Sequence, residues 1–411
     1  MIEVSASARW PRHRLESRPW RQTARAGTRE DRMLTEVTVW LPPQIAELRL
    51  PLAPELSSTI EQAVRDIAVL DSGHGKNLNP LGVMLLRTES VASSKIEHVE
   101  ADVSDYARAL HGMKSNPSAV SMANATVALD HLIGSVHDGA EVTLDAILRA
   151  HKTLMSDDPS EAAYAGRVRG VQNWIGGSDH APRNALYVPP PPETVDAYLD
   201  DLIRFINRTD LSAMAQAAIA HAQFESIHPF TDGNGRIGRA LVNTVFRRRG
   251  VTEQVVVPLA SALVARKDDY FDLLTDYRLG HPEPIIAAFA RASAIAARES
   301  RATAARMEDF PQGWRDAVGT VRAGSSVARL LELLPQAPVF SAEEAEAALG
   351  VGTSALYRGV DRLVQAGVLR PLTTRKRNQV WGVGDTLDEL DDLSSRIGLV
   401  ARQAPRRARV G

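Results

Sequence analysis

Apolar residues recur at helical spacing along most of the chain. Between residues 50 and 70 they fall three and four apart, and Pro54 stands near the start, where a helix tolerates it. The same spacing predicts helices over 81–92, 103–113, 119–136 and 144–155, then over 193–207 and 212–227, with more after Arg239 and from Asp268. Residues 71–79 make a Gly-rich break. Its Gly73-His74-Gly75-Lys76 run lacks a phosphate loop's leading glycine, because position 70 is Leu, and Asn77 replaces the Ser or Thr needed for magnesium. Residues 164–192 lose the helical rhythm. Gly166, Gly170, Gly176 and Gly177 punctuate short apolar runs and four prolines, Pro189 to Pro192, close the stretch. Residues 171–175 and 185–188 read as two short strands around a 176–184 loop, a β-hairpin in a helical protein.

The C-terminal part follows a different plan. Residues 311–324 hold Gly313, Gly319 and Gly324 and read as a linker. Beyond it Val327, Leu330, Leu331 and Leu334 share one helix face, Ser341 to Glu344 is a capping box, and Gly350-Val351-Gly352 makes a tight turn. Leu356, Val360, Leu363 and Val364 line a third helix that stops at Gly367. Residues 368–372 and 379–383 read as strands around Arg375-Lys376-Arg377, and 385–399 as a final helix. Helix, helix, turn, helix and β-wing is a winged helix-turn-helix pattern. Its third helix would expose Ser354, Tyr357, Arg358, Asp361 and Arg362. The basic wing tip suits the phosphates of DNA, whereas Asp361 and the acidic 385–392 segment favour a structural or protein-binding role.

Composition narrows the class. A chain of 411 residues suggests two or three domains, and 44% apolar with 24% charged residues excludes a mostly disordered one. The net charge of -2 supplies no global field for nucleic acid or membrane. With no cysteine, a disulfide scaffold, a thiol nucleophile, a zinc ribbon and an Fe–S cluster are excluded. No run approaches 18 apolar residues and the N-terminus lacks a secretory signal's apolar core, so a cytoplasmic protein without membrane contact is expected. Residues 1–32 carry eight arginines, two prolines and two tryptophans and read as a loosely ordered arm laid on the body of the protein. The tail 401–411 has four arginines and no acids.

The chemistry concentrates in twelve residues, from His228 to Arg239. Pro229 disfavours helical geometry at His228, so a helix ends near Ile227, and the spacing of Ile237, Leu241 and Val245 starts another near Asn234. Between them lies Gly233-Asn234-Gly235. Glycines let backbone N–H groups converge, and a helix N-terminus carries partial positive charge, so the loop is an anion site. Arg236 and Arg239, three apart, add full charges with phosphate-matching forks. Asp232 suits Mg²⁺ on a polyphosphate, and His228 can accept a proton near neutral pH. This set fits phosphoryl or nucleotidyl transfer to a hydroxyl. A shared metal on His221, His228 and Asp232 is excluded by geometry, since two helical turns separate the histidines by about 10 Å.

The stretch resembles the Fic signature HPFxxGNGRxxR, with the Asp at the second variable position, and meets every position of it. Fic enzymes transfer AMP from ATP to Ser, Thr or Tyr hydroxyls of proteins. The resemblance implies a mainly α fold, a helical Fic core with a β-hairpin flap, plus the small winged helix domain. It makes His228 the general base, Phe230 the buried holder of the loop and Asp232 the Mg²⁺ ligand. Gly233, Asn234 and Gly235 become the anion hole, Arg236 the β-phosphate grip and Arg239 the γ-phosphate grip, with Thr231 and Gly238 in the same ATP site. Family members that phosphorylate their target carry Ala and Lys where Gly233 and Gly235 stand, so AMP transfer is expected.

Two further stretches are similar to the family. Ser93-Ser94-Lys95-Ile96-Glu97-His98 resembles the inhibitory motif [S/T]xxxE[G/N], whose Glu pairs with the second motif arginine and misplaces ATP. Ser93 and Glu97 fit at a spacing of four, expected on one helix face, while His98 stands where Gly or Asn is usual. Gln172 to Gly177, with Trp174, Ile175 and Gly176, and then Tyr187-Val188 resemble the flap that holds a target segment by strand addition. Tyr270, in Asp269-Tyr270-Phe271-Asp272, is similar to a residue lining the adenine pocket. The resulting layout is an arm over 1–32 and a catalytic domain over 33–310, with the inhibitory helix near 90–100 and the flap at 166–192. A linker over 311–324, a winged helix over 325–400 and the basic tail follow. ATP, an unidentified protein target and DNA are the partners this layout admits, and a homo-oligomer is compatible with it.

Overall fold

The computed structural model describes residues 10–22, 26–73, 78–373 and 379–404. The chain begins with β1 (Arg14–Pro19), α1 (Arg29–Arg32) and β2 (Glu36–Leu41). Then come α2 (Pro54–Ser72), α3 (Leu78–Ile96), α4 (Val103–Leu110), α5 (Pro117–Gly134) and α6 (Leu144–Met155). After a long irregular stretch follow α7 (Val195–Ile206), α8 (Ala213–Ile227), α9 (Asn234–Arg248), α10 (Ala260–Val264), α11 (Lys267–Arg278) and α12 (Glu283–Val318). The rest is α13 (Ser326–Leu333), β3 (Val339–Ser341), α14 (Ala342–Leu349), α15 (Thr353–Gln365), β4 (Leu369–Pro371), β5 (Val380–Val383) and α16 (Gly384–Gln403). The protein is mainly α, with helices where the apolar spacing predicts them and ends shifted by a few residues. Among the described residues no helix is long and apolar enough to cross a membrane.

The chain divides into two compact units. The first comprises 1–62, 128–251 and 267–291. Its centre is α8, buried on every face from Met214 to Ile227, with its polar residues bonded inside the unit, Gln216 to the carbonyls of Phe205 and Ile206 and His221 to Tyr270. Around it pack α7, α9 and α11, and α6 rests on α7 and α9. At Gly238 an added Cβ would lie 3.1 Å from Phe224 Cδ1 and 3.2 Å from His221 Nδ1, so the glycine lets α9 approach α8 closely.

The described residues of the N-terminal arm, 10–22 and 26–32, include regular elements. In its described part β1 pairs antiparallel with β2, Arg14 opposite Leu41 and Pro19 opposite Glu36. The inward residues Val37, Val39 and Leu41 form a small core with Val188, against which Trp20 and Trp174 pack. Thr28 caps α1 reciprocally with Asp31. His13 donates its backbone N–H to the Arg278 carbonyl at 2.8 Å, and its ring packs edge-on to Tyr277. The arginines hide this order in the sequence, because the alternation that marks β2 is short and β1 has almost none.

The second unit comprises 63–127, 252–266 and 292–411. Within it α3, α10 and α16 pack on one another, and β3, β5 and β4 form an antiparallel sheet in that order. Ser341 and Glu344 make the expected capping box, and Gly350 ends α14 in the left-handed region at φ 61°. The linker expected over 311–324 is mostly helix. α12 continues through Pro311 to Val318, because Trp314 and Val318 are buried with Leu330, Leu331, Leu356, Leu363 and Trp381. Burial of those two side chains outweighs the proline. Arg362 on α15, expected to be available to a partner, donates to the Val318 and Thr320 carbonyls at 3.1 and 2.7 Å. Residues 375–377 at the wing tip, 74–77 and 405–411 lie outside the described residues.

Candidate active site

The site is built where α8 hands over to α9. α8 stops at Ile227, and His228 follows in the left-handed region at φ 50°, its N–H donating to the Phe224 carbonyl. Among the described residues only three that are not glycine take positive φ, and backbone strain of this kind clusters at functional sites. Phe230 is fully buried and stacks on His151 with ring centroids 3.7 Å apart. Gly233 caps α9 at φ 76°, and a Cβ there would meet Leu154 Cδ2 at 3.0 Å and Met155 Sδ at 3.1 Å. The side chain of Asn234 closes the loop. Its Oδ1 accepts the Phe230 N–H and its Nδ2 donates to the Phe230 carbonyl, both at 2.8 Å. Any anion contact from Asn234 therefore comes from its backbone N–H, which like that of Gly235 belongs to the first helical turn, where no carbonyl of the helix accepts it.

The positive charge is concentrated and dry. Arg236 is 6% and Arg239 1% exposed, one turn apart at the positive end of the α9 dipole. Arg236 Nη2 lies 3.6 Å from Asp232 Oδ2 and 3.6 Å from Met155 Sδ. The Asp232 side chain is more than half exposed beside it. Among the described residues no cluster of three or more His, Cys, Asp or Glu could hold a metal ion. Asp232 is a carboxylate that could contribute one ligand to a divalent cation.

Residues outside the motif hold this loop in place. His151 Nδ1 accepts the Gly166 N–H at 2.9 Å, which puts the ring proton on Nε2, and Nε2 donates to the Asp232 carbonyl at 3.1 Å. Burial pulls His151 down to about 4, so it is neutral near pH 7. Arg169, 3% exposed, donates its backbone N–H to the Pro229 carbonyl. Its guanidinium donates to the carbonyls of His228, Val171 and Pro190 at 2.8, 3.0 and 2.6 Å. Neither residue carries a sequence signal: His151 lies in an ordinary amphipathic helix, and Arg169 is one arginine among many.

Several expected site residues serve the frame. Thr231 gives its hydroxyl to Glu161 Oε2 at 2.6 Å, and Gly238 serves helix packing. Tyr270, expected against the adenine, is 1% exposed. Its hydroxyl lies 2.8 Å from His221 Nε2 and 3.4 Å from Arg239 Nη1, so it steadies the arginine and offers no open ring face.

The flap is less regular than two strands. Its pairing is one antiparallel bridge, Ile175 with Tyr187, in which the Ile175 N–H donates to the Tyr187 carbonyl and the Leu186 N–H to the Ile175 carbonyl, each at 2.8 Å. The turn needs Gly177, at φ 78°, because a Cβ would lie 2.4 Å from the Arg183 carbonyl oxygen. Gly176 is also left-handed. The side chains of Trp174, Tyr187 and Val188, expected to serve the target, are anchors. Trp174 packs edge-on to Trp20 and donates to the Ser178 carbonyl; Tyr187 donates to the Ser226 carbonyl at 2.5 Å, beneath the Arg278 guanidinium; Val188 is buried. What the flap exposes is Leu186, at 82%, and Val171. The arm ties it down: the Trp40 N–H donates to the Val188 carbonyl at 2.9 Å, and Arg183 Nε to Asp31 Oδ1 at 3.0 Å. Asn173 Nδ2 lies 2.9 Å from His228 Nδ1 and donates to the Phe230 carbonyl at 2.9 Å.

The segment resembling the inhibitory motif belongs to the second unit. Ser93 is buried in the last turn of α3, but Glu97 is exposed one residue past its end, not on a helix face. The Val99 N–H donates to the Ser94 carbonyl and the His98 N–H to the Lys95 carbonyl, with His98 left-handed at φ 59°. This is a Schellman ending with His98 at the C′ position. Gly and Asn adopt that conformation most readily and His is also enriched there, which gives a physical reason for the usual residue and for its replacement.

Residues 141–246 match the model of the Fic/DOC family, a span that contains α6 to α9, the flap and the loop. The chain is 32% identical to protein adenylyltransferase fic-1 of Caenorhabditis elegans over 159 residues, 38% of this chain and 27% of that protein. It is 32% identical to protein adenylyltransferase Fic of Drosophila erecta over 136 residues, 32% of this chain and 25% of that one. It thus spans about a quarter of the length of these curated relatives. In fold it is similar to a Fic family protein from Desulfovibrio desulfuricans, with a TM-score of 0.53 and 20% identity over 81% of this chain and 97% of the other. The segment that builds the His228 loop therefore lies within the part of the chain that matches the Fic/DOC family model.

Proposed function

We propose that this chain is an autoinhibited protein adenylyltransferase that moves AMP from ATP to a Ser, Thr or Tyr hydroxyl of a protein target. The observation that carries this reading is the pair of buried arginines, Arg236 and Arg239, on the first turns of α9, directly behind the strained loop that presents His228. His228 takes the proton of the target hydroxyl. The hydroxyl oxygen attacks the α-phosphorus as the bond to pyrophosphate breaks. The first-turn amides and the two arginines stabilise the charge that develops on the phosphates. Asp232 would hold Mg²⁺, which would supply positive charge for the leaving pyrophosphate. Gly233 and Gly235 support AMP transfer over phosphate transfer. The resemblance of Ser93 to His98 to the inhibitory motif makes Glu97 the candidate inhibitory carboxylate, and the candidate to position water if AMP is removed.

The C-terminal α13–β5 segment reads as a winged helix in a structural or protein-binding role. Labelled ATP with Mg²⁺ tests the reading on the full chain. Label on protein should rise in Glu97→Gly and vanish when His228→Ala is added, a loss of about 10²–10⁴-fold for removal of a general base. Absence of label on itself or on a cell lysate in every variant would overturn it in favour of an ATP-sensing, DNA-binding regulator.

A further inference from the structure

Within the second unit, the helix that follows Glu97 is gripped by two different cores. Five residues, His98 to Asp102, lead from Glu97 to α4, which the Asp102 side chain caps by accepting the Asp105 N–H. Tyr106 of α4 packs with Val91 of α3 and with Met122 and Ala123 of α5, its hydroxyl 2.7 Å from Thr126 Oγ1. Val99 and Ala101 of the connection rest on the same cluster. Ala107, the next residue along α4, is buried instead with Val339 of β3, Val380 of β5 and Leu372 just past β4. Strand alternation divides β5 accordingly: Val380 joins α4, while Trp381 and Val383 belong to the core of α13 and α15. Two polar contacts frame the junction. Arg108 Nη1 donates to the Leu372 carbonyl at 2.9 Å, and His111, just past α4, has its Nδ1 3.1 Å from Glu344 Oε1 on α14. On the other side of Glu97, α3 packs on α16, which follows β5 directly.

We propose that the β3–β5–β4 sheet is a docking face for α4, and that through α4 the C-terminal segment sets the position of Glu97. The occupant suits the surface: α14 exposes Glu343 and Glu344, which repel a phosphate backbone and suit His111. A connection of five residues with Val99 and Ala101 packed has little slack, so a shift of α4 is passed to it. Control of AMP transfer rests on the function proposed above; the mechanical link between sheet and connection does not.

Hydrogen exchange read by mass spectrometry on the full chain without nucleotide tests the link. Leu372→Ala thins the sheet face, and His111→Ala removes only a contact at its rim, so it carries the test if the first variant does not fold. Each should speed amide exchange over residues 97–103 about fivefold or more and leave residues 228–239 unchanged. Arg358→Ala, exposed on α15, should change neither. With labelled ATP, AMP transfer should rise about fivefold or more in both variants when Glu97 is present, and not rise further in the Glu97→Gly background. Unchanged exchange over 97–103 in the folded variants overturns the proposal, as does a gain in transfer that is the same with and without Glu97. If Glu97→Gly itself transfers no AMP, the functional reading fails and the exchange result alone decides the link.

Discussion

The motif loop and the flap lie side by side at the site and are built in opposite ways. Residues 228–239 make their innermost bonds among themselves, with His151 and Arg169 bracing them from outside: the cap at His228, the Asn234 bonds to Phe230 and the Gly233 cap all lie within seven residues. The flap has a single bridge and a few bonds of its own, Trp174 Nε1 to the Ser178 carbonyl and Gln172 Nε2 to the Pro189 carbonyl among them, and relies on distant residues besides. Arg183 is fastened to Asp31, 152 positions away, Val188 to Trp40, and the flap root to the loop by Arg169. A local fold is encoded by the order of its residues and tolerates its surroundings. A borrowed fold is only as ordered as its distant partners, so the flap should fail first when those partners are removed.

Removing the connector between the two regions is the harshest test. Arg169→Ala strands the carbonyls of His228, Val171 and Pro190, and should cost at least about 3 kcal/mol and abolish activity. Arg169→Lys should rescue little, since a single ammonium cannot reproduce the fork. Thermal melts of both variants decide it; a Lys variant as stable as wild type would make the connection one of charge alone.

The loop should carry a pH signature of its own. His151 has an ordinary pKa of 6.5 and is held at about 4 by burial. Below about 6.5 the unfolded chain binds a proton that folded His151 refuses, so the stabilisation is complete above 6.5, declines as pH falls, and is spent near 4. The full loss is on the order of 3 kcal/mol. His13, also lowered by burial, to about 3, adds a slope of the same sign. His151→Gln should therefore flatten the decline between pH 6.5 and 4 without removing it, and denaturant titrations at several pH values would show whether it does.

The latch on the arm gives a finer separation. Hydrogen bonds from the Thr28 backbone and Arg183 hold the Asp31 carboxyl below the usual carboxylate range. Asp31→Asn should raise KM for the protein target several-fold and leave ATP binding unchanged by calorimetry. Equal losses toward both substrates would mean that the flap and the loop are one cooperative piece. The smallest effect is expected at Leu186, which is 82% exposed. Leu186→Ser should change stability by less than about 0.5 kcal/mol and weaken only target docking, read as KM for the target.

Much of this architecture is legible in residue order alone. The helix boundaries around Ile227 and Asn234, the capping box at Ser341 and the strand pair near 369 and 380 are local events, and neighbouring residues state them. The flap anchors escape such a reading because Tyr187 and Val188 point into the core at Ser226 and Val39, which no hairpin pattern announces. Trp314 keeps a helix running through a proline because of a core formed elsewhere in the chain.

The sequence by itself determined the helical class, the glycine loop between two helices and the two arginines on the helix that follows it, because turn conformation, helix dipole and side-chain charge act over a few residues. Tertiary structure alone decided that His151, Arg169 and Asn173 serve that loop, that Tyr270 steadies Arg239 instead of meeting a base, and that the N-terminal arm belongs to the flap. Each depends on a buried hydrogen bond between residues far apart in sequence, and whether such a donor meets its acceptor is settled only when the core closes around both.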